Sequence, residues 1–131
     1  VTTLVGTLEP GICPPDGNCG DGGPGSLATL NEPKGLAVCN GQLLIADFGN
    51  SRIRAYNLAT GNISTMAGTT HGYSGDGGDP KLAKLSGPIG VACDSFRGIW
   101  ISDTGNNAIR AVIPNPEGGK RIVTVVGGLG Q

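Results

Sequence analysis

Histidine and charge are both scarce in this sequence, and each scarcity removes a class of function. One histidine, His71, stands among 131 residues, so a zinc site built on several imidazoles cannot be assembled within the chain. His71 sits in a loop and reads as a solvated residue. Charged residues make up 15% of the chain and the formal net charge is −1; a nucleic-acid surface needs a clustered basic face, which the sequence does not offer. Purely apolar runs are short, as in Leu43-Leu44-Ile45-Ala46, far below the ~20 residues that span a bilayer. No targeting segment is visible and the first residue is Val1, which points to a processed chain, a fragment or a sequence traced without its start.

Glycine, at 25 residues, and proline, at 9, are abundant. Such a share can signal low complexity, yet here the glycines separate short alternating apolar runs, the pattern of many short strands joined by tight turns. The sequence also repeats. "GDGGPGSLATLNEPKGLAV" (20–38) falls on "GDGGDPKLAKLSGPIGVAC" (75–93), and "IADFGNSRIRAY" (45–56) on "ISDTGNNAIRAV" (101–112). "ISTMAGT" (63–69) falls on "IVTVVGG" (122–128) and again on "VTTLVGT" (1–7). Strand-like runs lie at about 35–39, 43–47, 52–58 and 62–67, and at about 90–94, 98–102, 108–113 and 121–126. Four short antiparallel strands per repeat make one blade of a β-propeller. The expected fold is therefore all-β, with two four-stranded antiparallel blades and one leading outer strand, part of a larger propeller or assembly. Residues 1–7 would be the last strand of a preceding blade, 8–69 the first blade with a long connector, and 70–131 the second blade. Leu27/Leu30 and Leu82/Leu85, three apart, predict one helical turn each that docks two leucines, ended by Pro33 and Pro88.

The ordered motifs "GYSGDGG…L…L…P.G", "I.D.GN..IR" and "I.T.AG" resemble the NHL repeat, over nearly the whole chain. The resemblance implies a β-propeller that serves as a binding or scaffolding module, with enzymes in the minority. Two departures stand out: the long first connector "LEPGICPPDGNC", and Ala108 where the first repeat has Arg52.

In a blade the second-to-third turn and the incoming connector emerge on one face, so Asp47-Phe48-Gly49-Asn50 and Asp103-Thr104-Gly105-Asn106 lie beside the two GDGG loops. Structural turns explain them most simply, with Asp and Asn bonding turn backbone and Gly supplying positive φ at Gly49 and Gly105. A phosphate cradle would need a following helix. Calcium has candidate ligands in Asp16, Asn18, Asp21, Asp76 and Asp79, without the bidentate Glu of an EF-hand; the expectation is no cofactor, with calcium as the alternative. Arg54 and Arg110 point off the apolar face and call for a blade carboxylate. Ser74, between glycine-rich neighbours, does not sit in a nucleophile elbow.

Four cysteines fit an oxidising compartment. Cys13 and Cys19 bracket turn residues, the pattern of a local disulfide. Cys39 and Cys93 lie one residue out of register on equivalent innermost strands, so alternation either makes them face each other across the blade interface or turns both away. They are a disulfide or two buried thiols. Asn62-Ile63-Ser64 is a glycosylation sequon in a hairpin at the outer edge. Two blades leave two apolar faces bare, so partners are expected to be other blades of the same or neighbouring chains, as a homo-oligomer or longer array. The sequence thus predicts a non-catalytic extracellular or cell-surface module for protein–protein or glycan-associated assembly, such as a fibre component. The alternative is a piece of a secreted propeller enzyme with its catalytic groups in other blades.

Overall fold

A computed structural model of the chain describes residues 1–7, 9–14 and 19–128. Its strands are β1 (Pro33–Cys39), β2 (Gln42–Asp47), β3 (Arg52–Asn57), β4 (Ile63–Ala67), β5 (Pro88–Cys93), β6 (Ile99–Asp103), β7 (Ala108–Pro114) and β8 (Lys120–Gly127). They form two antiparallel sheets in strict sequence order, β1-β2-β3-β4 and β5-β6-β7-β8. These are two β-propeller blades. Asn40 and Gly41, with φ of 50° and 76°, turn β1 into β2, the left-handed pair that suits a two-residue hairpin. The corresponding hairpin of the second blade is longer, and Asp94 closes it by accepting from the Phe96 and Gly98 amides at 2.8 and 2.9 Å.

The blades stack face to face. Pairing of Leu44 with Ala55, Ala46 with Ile53, and Ile53 with Ala67 gathers the small and branched residues of the first blade on one face. That face is buried against Ile99, Ile101, Val112 and Ile122 of the second blade, with Ala83 and Leu85 of the connector completing the cluster. Each fully buried Leu or Ile contributes about 1.5–3 kcal/mol, so this interface is the main source of stability. The innermost strands approach most closely: a Cβ at Gly35 would collide with the Ile89 carbonyl, which is why only glycine fits there.

Three local expectations are corrected. Residues 1–7 form no strand: a fourth strand pairs with a third, and no strand among the described residues pairs with them. Their end still behaves like the end of β4: the Gly6 amide donates to the Gly25 carbonyl at 3.0 Å, as the Gly68 amide does to that of Pro80 at 2.9 Å. The helical turns are 3-10 turns of three residues, η1 (Gly25–Leu27) and η3 (Pro80–Leu82). They leave Leu27 and Leu82 exposed at 69% and 74%, while Ala28, Ala83 and Leu85 are fully buried. So short a turn cannot hold both leucines on one side. Pro33 and Pro88 open β1 and β5 rather than closing the turns. Among the described residues no helix is long and apolar enough to cross a membrane.

Candidate functional site

The loop face is organised around two buried arginines. Arg54 on β3 and Arg110 on β7 are wholly buried, and a buried guanidinium requires paired charge and filled donors. Arg54 Nη1 donates to Asp47 Oδ2 at 3.2 Å and to the Thr29 carbonyl at 3.0 Å; its Nη2 reaches Asp21 Oδ1 at 2.8 Å and the Cys19 carbonyl at 3.3 Å. Arg110 repeats the arrangement one blade on. Its Nη1 takes Asp103 Oδ2 at 3.0 Å and the Lys84 carbonyl at 3.1 Å, and its Nη2 takes Asp76 Oδ1 at 2.9 Å and the Ser74 carbonyl at 3.0 Å. Each arginine therefore ties the D-x-G-N turn of its blade to the GDGG loop that leads into that blade.

The turn aspartates are also buried. They bond both across to the connector and to the asparagine of their own turn. Asp47 Oδ1 accepts the Asn31 amide at 2.8 Å and Asp103 Oδ1 the Ser86 amide at 2.7 Å. Asn50 and Asn106 each donate to the neighbouring aspartate, at 2.9 and 2.8 Å, and to the Gly11 and Gly72 carbonyls, at 2.9 and 2.8 Å. Gly49 and Gly105 do not supply the expected positive φ, which falls on Ser51 and Asn107 at 51° each; they sit directly on Asn31 and Ser86, where a side chain would collide. The GDGG loops then lie along the start of the fourth strand: the Gly22 amide bonds the Ile63 carbonyl at 2.7 Å, and that of Gly77 bonds Ile122 at 2.7 Å.

The two departures noticed in the sequence explain each other. The first connector carries a Cys13–Cys19 disulfide. Arg52 holds that loop, its Nη2 donating to the Pro14 carbonyl at 2.6 Å and its Nε to the Thr69 carbonyl at 2.9 Å. The second connector has no such insertion and no arginine, only Ala108. There Tyr73 lies over Arg110 at 5.1 Å from ring centroid to guanidinium carbon, with its hydroxyl 2.9 Å from Thr124 Oγ1. In the first blade Cys13 Sγ approaches Arg54 Nη1 at 3.7 Å instead, and Thr65 donates to Asp21 Oδ2 at 2.6 Å. Disulfide loop and tyrosine are alternative lids over the same arginine. Nothing in the sequence pattern alone ties Arg52 to the insertion, because its contacts there span 33 and 38 residues.

As metal ligands the aspartates fare unevenly. Asp16 and Asn18 lie outside the described residues. Asp21 and Asp76 are engaged by arginine, and Asp79 accepts the Lys81 amide at 3.0 Å at the start of η3. Among the described residues no group of three or more His, Cys, Asp and Glu side chains is placed to hold a metal ion. His71 Nε2 is 2.9 Å from Ser86 Oγ. Asn62 is exposed. Cys39 and Cys93 are joined by a disulfide across the blade interface, with Cα atoms 6.2 Å apart.

A family model described as "NHL repeat" matches residues 30–56, which run from the connector through the first D-x-G-N turn and β3. The chain belongs to the NHL-repeat family. Teneurin-4 of Homo sapiens and of Mus musculus are each 51% identical to it over 102 residues, covering 67% of the chain. The chain spans only about 4% of the length of these relatives. Among solved structures, a Bacteroides thetaiotaomicron protein of unknown function superposes with a TM-score of 0.62 at 26% identity, over 76% of this chain and 23% of that one. In these NHL blades the clasping arginine and aspartates serve the fold, and the match includes both Asp47 and Arg54.

Proposed function

We propose that the chain is a non-catalytic, extracellular structural and binding module, whose NHL blades form a scaffold for protein–protein or glycan-associated assembly at a cell surface or in a fibre. The observation that carries this reading is the commitment of the loop-face charges to internal bonds. Asp21, Asp47, Asp76 and Asp103 are ion-paired with Arg54 or Arg110, so the carboxylates that recur from blade to blade are occupied in holding turns. The apolar surface, by contrast, is left open. Two disulfides and an exposed sequon asparagine support the extracellular part. NHL-repeat membership and the likeness to teneurin-4 point the same way, toward binding or structure.

Expression through a mammalian secretory pathway tests the proposal. The secreted chain should contain no alkylatable thiol and should carry a glycan that N-glycosidase removes and Asn62→Gln prevents. Retention inside the cell with free thiols would overturn the extracellular assignment.

A further inference from the structure

The two disulfides occupy opposite environments. Cys13 and Cys19 are both buried, at 7% and 5% exposure, under Arg52 and Arg54. In the second bridge Cys39 is buried in the inter-blade core at 6%, but Cys93 is exposed, its Sγ lying 3.6 Å from the Val38 carbonyl. Both halves of this bridge line a cleft of about 390 Å3 between the blades, together with Asn40, Gln42, Arg97, Ile99 and Lys120. The charged groups lining that cleft are both cationic, and neither has an ion-pair partner among the described residues.

We propose that this cleft is a site of thiol–disulfide exchange for small anionic thiols, which makes Cys39–Cys93 a releasable bolt between the blades while Cys13–Cys19 stays closed. Exchange requires a thiolate to reach one sulfur of the bridge; Cys93 is exposed and lines the cleft, whereas Cys13 and Cys19 are both buried. Arg97 and Lys120 draw in a thiol that carries a carboxylate and favour its thiolate form. The thiolate attacks Cys93 Sγ, the S–S bond breaks, and Cys39 Sγ leaves with the electron pair and takes up a proton. A second thiol attacks the mixed disulfide and releases Cys93 as a thiol. Two thiols are oxidised to one external disulfide and one protein disulfide is reduced to two cysteines. Cys39 joins the inner edge of the core cluster, so its release loosens the innermost strands first.

The test is timed alkylation and peptide mapping of the native chain treated with 3-mercaptopropionate (anionic), 2-mercaptoethanol (neutral) or cysteamine (cationic), with rates expressed per thiolate. Cys39–Cys93 should open about tenfold faster than Cys13–Cys19. Its rates should fall in the order anionic, neutral, cationic, with roughly two- to tenfold between the extremes at low salt. Arg97→Gln combined with Lys120→Gln, or about 0.5 M salt, should collapse that spread, slowing the anionic thiol most and the cationic thiol least. The proposal is overturned if Cys13–Cys19 opens as fast, if Cys39–Cys93 resists all three thiols, or if the charge order is flat, reversed or retained in the double variant.

Discussion

At the scale of single residues, the stability of this chain turns on buried charge that is ion-paired. Arg110→Met would strand Asp103, which is wholly buried, and removal of one partner of a buried pair costs about 3–5 kcal/mol. Arg52→Ala should cost less, about 1–2 kcal/mol, since the second blade is folded with Ala108 at that place and the bonds Arg52 gives to Pro14 and Thr69 go to neutral carbonyls. Urea unfolding of the two variants measures the difference; equal losses would show that the arginine clasp is not what secures the blade. A second residue-scale prediction concerns Asp94, whose carboxyl is held below the ordinary aspartate value by the Trp100 indole at 2.9 Å, then by the Gly98 and Phe96 amides. A carboxylate lowered in the folded state favours that state above its ordinary value, and the contribution is lost as pH falls through the lowered one. Trp100 is the sole tryptophan, so its fluorescence should titrate with a midpoint below that of an ordinary aspartate while circular dichroism stays native. Asp94→Asn should abolish the step; a midpoint at or above the ordinary value would contradict it. The arginines and turn aspartates stood out in the sequence because they repeat, but their pairing with Asp21 and Asp76 did not, being set by contacts 33 and 34 residues apart.

At the scale of elements, the two blades carry different lids over equivalent arginines, a disulfide loop with Arg52 in the first and a tyrosine with alanine in the second. Replacing residues 12–19 by Tyr-Ser, with Arg52→Ala, should therefore give a folded chain that melts within a few degrees of the parent, followed by circular dichroism. A chimera that fails to fold, or that melts without cooperativity, would refute the equivalence of the lids. The strands were legible because apolar residues alternate between glycine and asparagine turns, and the observed boundaries fall within about two residues of those read from the pattern. Register across the blade interface was half legible: alternation allowed Cys39 and Cys93 to face each other or both turn away, and only the approach permitted by Gly35 and Ile89 brings them within bridging distance. The leucine turns misled because spacing of three is a helical signal only when the helix continues. In η1 and η3 the chain leaves at once into extended backbone, so the alanine after the turn is buried in place of the first leucine.

At the scale of the whole molecule, the decisive feature is what the blades leave bare. Trp100, Ile109 and Val126 occupy on the second blade the positions that Leu44, Ile53 and Ala67 fill on the first, yet they are exposed at 37%, 37% and 62% while their counterparts are buried. On the other side Leu36 and Val38 are exposed at 62% and 68%. The repeat itself states what covers such a face, since the first blade's copy of it is covered by a blade. We propose that the outer faces of this two-blade stack take further blades, supplied by a longer chain or by other copies. Sedimentation velocity of the isolated chain over a wide concentration range, read beside Trp100 fluorescence, tests this most directly. The account predicts concentration-dependent association with a blue shift of the tryptophan emission, both removed by Trp100→Glu together with Val126→Glu. A monodisperse monomer that melts cooperatively, with Trp100 emission independent of concentration, would contradict it.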